Sequence, residues 1–182
     1  MTYHLKYPLG KFEKPDLITP DLLSEWITTI AAFPEDLANE VGNLSDQELN
    51  TSYRDEGWTI RQVVHHCADS HINAYCRFKL AITEDNPVIK PYYEDRWAEL
   101  PDSKDFPIHA SLSILHGLHA RWSALIESLD EKALARTFIH PQHGQTFTLA
   151  EVVGMYAWHC RHHLAHVTQA KKKIQELGAE QA

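Results

Sequence analysis

Two histidine-rich stretches stand far apart in this 182-residue chain. One is TIRQVVHHCADSH, with His65, His66 and His71. The other is WHCRHHLAH, with His159, His162, His163 and His166. Both have the apolar spacing of long amphipathic helices. Residues four apart on a helix lie one above the other, so His159/His163 and His162/His166 each present two imidazoles side by side. One histidine from a second helix would complete a set of three nitrogen ligands. A divalent ion held by three protein ligands with a fourth position open is a catalytic type of site, whereas structural sites are closed. A metal-dependent enzyme acting on a small molecule is therefore the expected class.

The helices that carry these residues sort them. In the last helix the apolar direction is set by Leu149, Val153, Tyr156, Cys160, Val167 and Ile174. At about 100° per residue, His163 falls about 40° from that direction, His159 about 80°, His166 about 100° and His162 about 140°. His159 and His163 are thus expected to look inward and His162 to be solvated, with His166 between. In the earlier stretch the apolar direction comes from Ile60, Val63, Val64, Cys67 and Phe78. His71 lies on that face, and His65 and His66 lie on opposite flanks. His66 shares a stripe with Ser70, Asn73 and Arg77, a polar line fit for a pocket wall. Asn73 and Arg77 are its substrate candidates, because a guanidinium binds carboxylate or phosphate with forked hydrogen bonds. Spacing alone leaves His65 and His66 both open as ligands.

Four long helices account for most of the chain. Thr19-Pro20 opens the first as cap and first helical residue. It carries Leu22, Leu23, Trp26, Ile27 and Ile30, and Pro34 kinks or restarts it before about Val41. Residues 1–18 read as extended over the surface. Ser45 to Glu48 suggests a short helical turn. The capping box Thr59 to Gln62 opens a second helix to about Thr83. A loop with Pro87, Pro91 and the aromatics Tyr92, Tyr93 and Trp97 follows, either a packed loop or the flank of a substrate entrance. A third helix fits Ile108 to Leu129. The link FIHPQHGQTF, with His140 and His143 as ordinary loop residues, reads as a small hairpin. A second capping box, Thr148 to Glu151, opens the last helix, which runs to about Leu177 and ends at Gly178. The expected architecture is an all-α four-helix bundle in a single domain over residues 1–182, with its site built from facing helices.

Composition excludes several classes. The net charge of -8 and a pI near 5.9 argue against nucleic-acid binding. No apolar run approaches the length of a membrane span, and MTYHLKYPLG lacks the pattern of a signal peptide. Cys67, Cys76 and Cys160 form no CxxC pair and suit reduced thiols in the cytoplasm. There is no HExxH, GxSxG, P-loop or GxGxxG.

YRDEGWTIRQVVHHCADSHINAYCRFKLAITE and YAWHCRHHLAHV closely resemble the YfiT-like branch of the DinB superfamily, and the similarity spans nearly the whole chain. That family's members are described as metal-dependent hydrolases and include bacillithiol S-transferases. The resemblance implies a four-helix bundle, often a homodimer, and one zinc or nickel ion per chain. It implies His66, His159 and His163 as the metal ligands, and so chooses His66 over His65. Asp55-Glu56-Gly57 departs from the double glycine usual in relatives. Asp69, His162 and His166 are candidates for a role in the chemistry or in orienting a ligand through its other ring nitrogen.

Two reactions suit three neutral imidazoles around a divalent ion: hydrolysis by activated water, and transfer of a low-molecular-weight thiol held as thiolate. Hydrolysis is the broader expectation and thiol S-transfer the runner-up. A non-catalytic metal-binding interaction bundle is the reading from a different class.

Overall fold

The computed structural model describes residues 2–142 and 144–179. His143, in the expected hairpin, lies outside the described residues. The elements in chain order are α1 (Thr2–Lys6), α2 (Pro20–Val41), α3 (Asp46–Leu49), α4 (Ile60–Thr83), α5 (Glu94–Trp97), α6 (Pro101–Lys104), α7 (His109–Glu127), α8 (Glu131–Leu134), β1 (Thr137–His140), β2 (Gln145–Thr148) and α9 (Leu149–Ala179). The long helices α2, α4, α7 and α9 form the bundle. Both α2 and α4 pack against α7 and α9, so α2 and α4 sit diagonally across it.

The caps form as the sequence demands. Thr59 accepts from the Gln62 amide while the Gln62 side chain reaches back to the Thr59 amide. Thr148 and Glu151 do the same at the start of α9, at 2.7 and 3.2 Å. Each box satisfies two amides that a helix start leaves without partners. These two caps fix where α4 and α9 begin, and so which way their histidines point.

The core is continuous along the bundle axis. Ile30, Phe33 and Leu37 of α2 meet Val64, Cys67 and Phe78 of α4, Leu115 and Trp122 of α7, and Val153, Ala157 and Cys160 of α9. The α2–α9 contact is close because residue 154 is glycine: a Cβ there would sit 2.7 Å from the Trp26 ring. β1 and β2 form the small antiparallel hairpin, in the register Thr137↔Thr148 to His140↔Gln145. Ile89 bonds to it through the Ile139 carbonyl, which ties down the loop after α4.

Three expectations need correction. Residues 1–18 are not simply extended, because α1 forms and lies against α9. Pro34 does not restart α2, which is one helix from Pro20 to Val41. Gly178 does not stop α9, which runs to Ala179. Among the described residues, no helix is long and apolar enough to cross a membrane.

Candidate metal centre

His66 on α4 and His159 and His163 on α9 come together where the two helices pack. One ring nitrogen from each lies within 4.8 Å of the others, and the Nε2 atoms of His66 and His159 are 3.4 Å apart. Two nitrogens each about 2.0–2.1 Å from one tetrahedral ion would stand about 3.3–3.4 Å apart, so this donor pair fits zinc-like coordination. Burial is the main cause that pushes all three rings well below the usual histidine range, His66 to about 3. They are neutral at pH 7, as ligand imidazoles must be. His65, by contrast, points away. Its Nε2–H donates to the Phe106 carbonyl at 3.0 Å and its Nδ1 meets Ser111 Oγ at 2.8 Å, pinning the start of α7 to α4.

The rings open onto a cleft of about 720 Å³. Its walls include Trp58, Ser70, Arg77, Tyr92, Tyr156 and His140. The loop between α3 and α4 is closed by the Ser52–Thr59 bridge and by a 3.0 Å bond from the Gly57 amide to the Arg54 carbonyl. It lays Trp58 over His66, with ring centres 4.6 Å apart, and stacks Tyr53 on His166 at 3.9 Å. The Tyr156 hydroxyl donates to the Ser70 carbonyl at 3.2 Å. Arg77 has neither ion pair nor hydrogen bond among the described residues, and its Nε is buried. Of the aromatic loop, Tyr92 lines the cleft, while Tyr93 is exposed.

The remaining candidates divide. Asn73 and Asp69 do not line the cleft: the Asn73 amide donates to the Asp69 carbonyl one turn back. Burial, and then the charge of Asp102, push the Asp69 carboxyl up to about 6. His162 is buried rather than solvated. Helical periodicity points it away from the bundle axis, but Tyr7 of the N-terminal segment and Trp158 stack against its ring. His166 is also buried. Its Nε2–H donates to the Lys6 carbonyl at 3.1 Å, and its Nδ1 lies 3.4 Å from His163 Nδ1. Cys67 and Cys160 are core thiols, both pushed up by burial, and Cys76 is exposed.

A residue outside the sequence reading completes the surroundings. His119 of α7 is fully buried. Its Nδ1 lies 2.5 Å from the Ile30 carbonyl and its Nε2 lies 2.7 Å from His71 Nδ1. His71 Nε2 in turn lies 3.0 Å from His159 Nδ1. A histidine on the apolar stripe of α7, between Leu115 and Trp122, was the signal for it.

A four-helix bundle with a three-histidine cluster that could hold a metal ion at the wall of a cleft is one class of helical protein, and the comparisons give its family. The DinB superfamily pattern matches residues 29–167, and the chain belongs to that superfamily. A Bacillus mycoides protein named "Putative metal-dependent hydrolase" is 50% identical over 170 residues, covering 93% of this chain and 97% of its own. YfiT from Bacillus subtilis, described as "a probable metal-dependent hydrolase with an unusual four-helix bundle topology", superposes with a TM-score of 0.92 at 42% identity, over 94% of this chain and 98% of its own. A mycothiol-dependent maleylpyruvate isomerase shares the fold, with a TM-score of 0.61 at 20% identity over 81% of this chain and 60% of its own.

Proposed function

We infer that the chain is a metal-dependent hydrolase of a small molecule, with His66, His159 and His163 holding one zinc or nickel ion. The observation that carries the reading is the convergence of three neutral imidazoles, two buried and one half-buried, at the wall of a cleft whose volume suits a small ligand. Relatives 50% identical carry hydrolase names, which supports the reaction class. When bound, such an ion supplies Lewis-acid chemistry and would equally hold a thiol as thiolate. The chain's own residues bind and orient. Arg77, with neither ion pair nor hydrogen bond among the described residues, offers its guanidinium to an anionic group of the substrate. Trp58 covers His66, and Tyr156 and Ser70 brace the wall between Arg77 and the ligands.

One observation favours low-molecular-weight thiol transfer as a second reading. A base that takes the proton of the attacking water speeds hydrolysis. The carboxylates that line the cleft are Glu56, Glu94 and Asp95, and none of them hydrogen-bonds a ligand ring among the described residues. A thiol is acidic enough to ionise without such a base.

The test is elemental analysis of tag-free wild type beside His66→Ala and His163→Ala, followed by ester and amide substrates with and without small thiols. About one zinc or nickel per chain, lost in both variants, is expected for a three-ligand site. Stoichiometric metal in either variant refutes the triad. Turnover that requires added thiol moves the assignment to the transferase.

A further inference from the structure

Both α9 histidines at the centre have a second ring nitrogen, and each of those nitrogens begins a chain of histidines that ends on a backbone carbonyl. The longer chain crosses all four bundle helices: His159 on α9, His71 on α4, His119 on α7 and the Ile30 carbonyl on α2, with steps of 3.0, 2.7 and 2.5 Å. The shorter runs from His163 through His166 to the Lys6 carbonyl, with steps of 3.4 and 3.1 Å.

A carbonyl only accepts, and this gives each chain a direction. The Ile30 carbonyl requires a proton on His119 Nδ1. A neutral His119 then has a bare Nε2, so the proton between it and His71 belongs to His71 Nδ1. His71 Nε2 is therefore bare, and the proton between it and His159 belongs to His159 Nδ1. The same steps from Lys6 put protons on His166 Nε2 and His163 Nδ1. His71, His119 and His166 are buried, and their hydrogen-bond partners are ring nitrogens and carbonyls with no carboxylate among them, so each ring gives one proton and takes one.

The two terminal carbonyls are free for a reason written in the backbone. Ile30 would normally accept from the amide four residues on, but that residue is Pro34, which has no N–H. Lys6 is the last residue of α1, where carbonyls have no helical partner. Pro34 thus supplies the longer chain with its anchor, which accounts for a proline inside a continuous helix.

We propose that His71, His119 and His166 are positioning residues that hold His159 and His163 as Nδ1–H tautomers, leaving both Nε2 lone pairs for a metal ion. The proposal rests on the metal reading for its purpose, while its content, the tautomers, is a property of the metal-free protein. It also makes α1 part of the centre, because the Lys6 carbonyl sets the state of His163 through His166.

Two measurements test it. In metal-free protein labelled with ¹⁵N histidine, the ring-nitrogen spectrum at neutral pH should show protonated Nδ1 and bare Nε2 at His159, His163, His71 and His119, and the reverse at His166. A protonated Nε2 on His159 overturns the proposal. Zinc affinity is then measured by chelator competition in His71→Phe and His71→Gln. Phenylalanine keeps ring volume and accepts nothing, so binding should weaken 10–100-fold, the usual cost of losing a partner of a ligand histidine. Glutamine can accept from His159 and donate to His119, so it should recover most of that loss. A purely packing role predicts the opposite order, with phenylalanine the better tolerated, and that result overturns the relay. Should His71→Phe fail to fold, the wild-type tautomers and His71→Gln decide. Should the wild type bind no zinc, the metal reading fails, and the tautomer spectrum still decides this one.

Discussion

Mild acid should unfold the metal-free protein. Burial moves His66 from the ordinary value of 6.5 to about 3, and His119 to about 4. The unfolded chain therefore takes up protons at these rings below about pH 6.5, while the folded chain does not. Stability contributed by the neutral rings is complete above pH 6.5 and is lost as pH falls toward 4 for His119 and 3 for His66. Each ring costs about 1.4 kcal/mol per pH unit, so by pH 5 the pair removes about 4 kcal/mol. That is a large part of the roughly 5–15 kcal/mol that holds a typical domain together. His65, His71, His159, His162, His163 and His166 shift in the same direction and add to the loss. Asp69, raised to about 6, acts the other way below pH 6, but it is one partly solvated carboxyl against eight rings. Urea titrations followed by far-UV circular dichroism, with chelator present, should show the midpoint falling by about 2 M or more from pH 7 to pH 5, at a slope near 2 kcal/mol per molar. An unchanged midpoint over that interval would refute the claim that the cluster is buried in its neutral form.

Gly154→Ala places a methyl 2.7 Å from a Trp26 ring that is itself buried. The overlap should cost about 1–3 kcal/mol and outweigh a helix-propensity gain of about 1 kcal/mol, so the thermal midpoint drops; a rise would mean that α2 moves aside freely. Glu56 holds φ at 55°, a left-handed conformation that costs an ordinary residue about 1–2 kcal/mol. Glu56→Gly should therefore raise the urea midpoint, and a fall would show that its carboxylate stabilises the loop. Of the three cysteines, Cys76 alone is exposed. A soluble disulfide reagent should modify Cys76 quickly and reach Cys67 and Cys160 only on unfolding, with peptide mapping as the readout.

The bundle was legible because its elements are set by local chemistry. Two capping boxes and a Thr-Pro start locate three of the four long helices, and 3.6-residue periodicity gives their inward faces. Periodicity selected His159 and His163 as the inward pair on α9. It could not choose between His65 and His66, because both flank the same face; the family resemblance chose His66, and the packing of α4 against α9 gives the physical reason. It misplaced His162, because a single-helix argument does not know that Tyr7, about 155 residues away in sequence, will lie over that face. Asn73 does not line the cleft although His66, Ser70 and Arg77 of the same stripe do, and a carbonyl within its own helix takes its amide. Pro34 reads in sequence as a kink or a restart of its helix. Its actual consequence, a carbonyl released to His119, exists only once α7 has packed against α2.

The endings of the two histidine chains bear on what the centre can do. A ligand imidazole whose other nitrogen meets a carboxylate gains basicity and passes negative charge toward the ion. Here both chains from α9 pass through neutral rings and end on neutral carbonyls. On the proposed assignment the direction of each ligand would be fixed, yet no charge would be added behind it. A divalent ion held this way would keep nearly its full charge, which is the condition for strong polarisation of a substrate oxygen or for stabilising a thiolate. The cost is borne by the fold, which buries a cluster of titratable rings and becomes sensitive to acid. Replacing His119 by glutamate would separate the two effects: the chain from His159 would then end on a carboxylate, and metal affinity should rise if the carboxylate's charge reaches the ligand. Unchanged affinity with the His159 tautomer intact would mean that these chains transmit orientation alone.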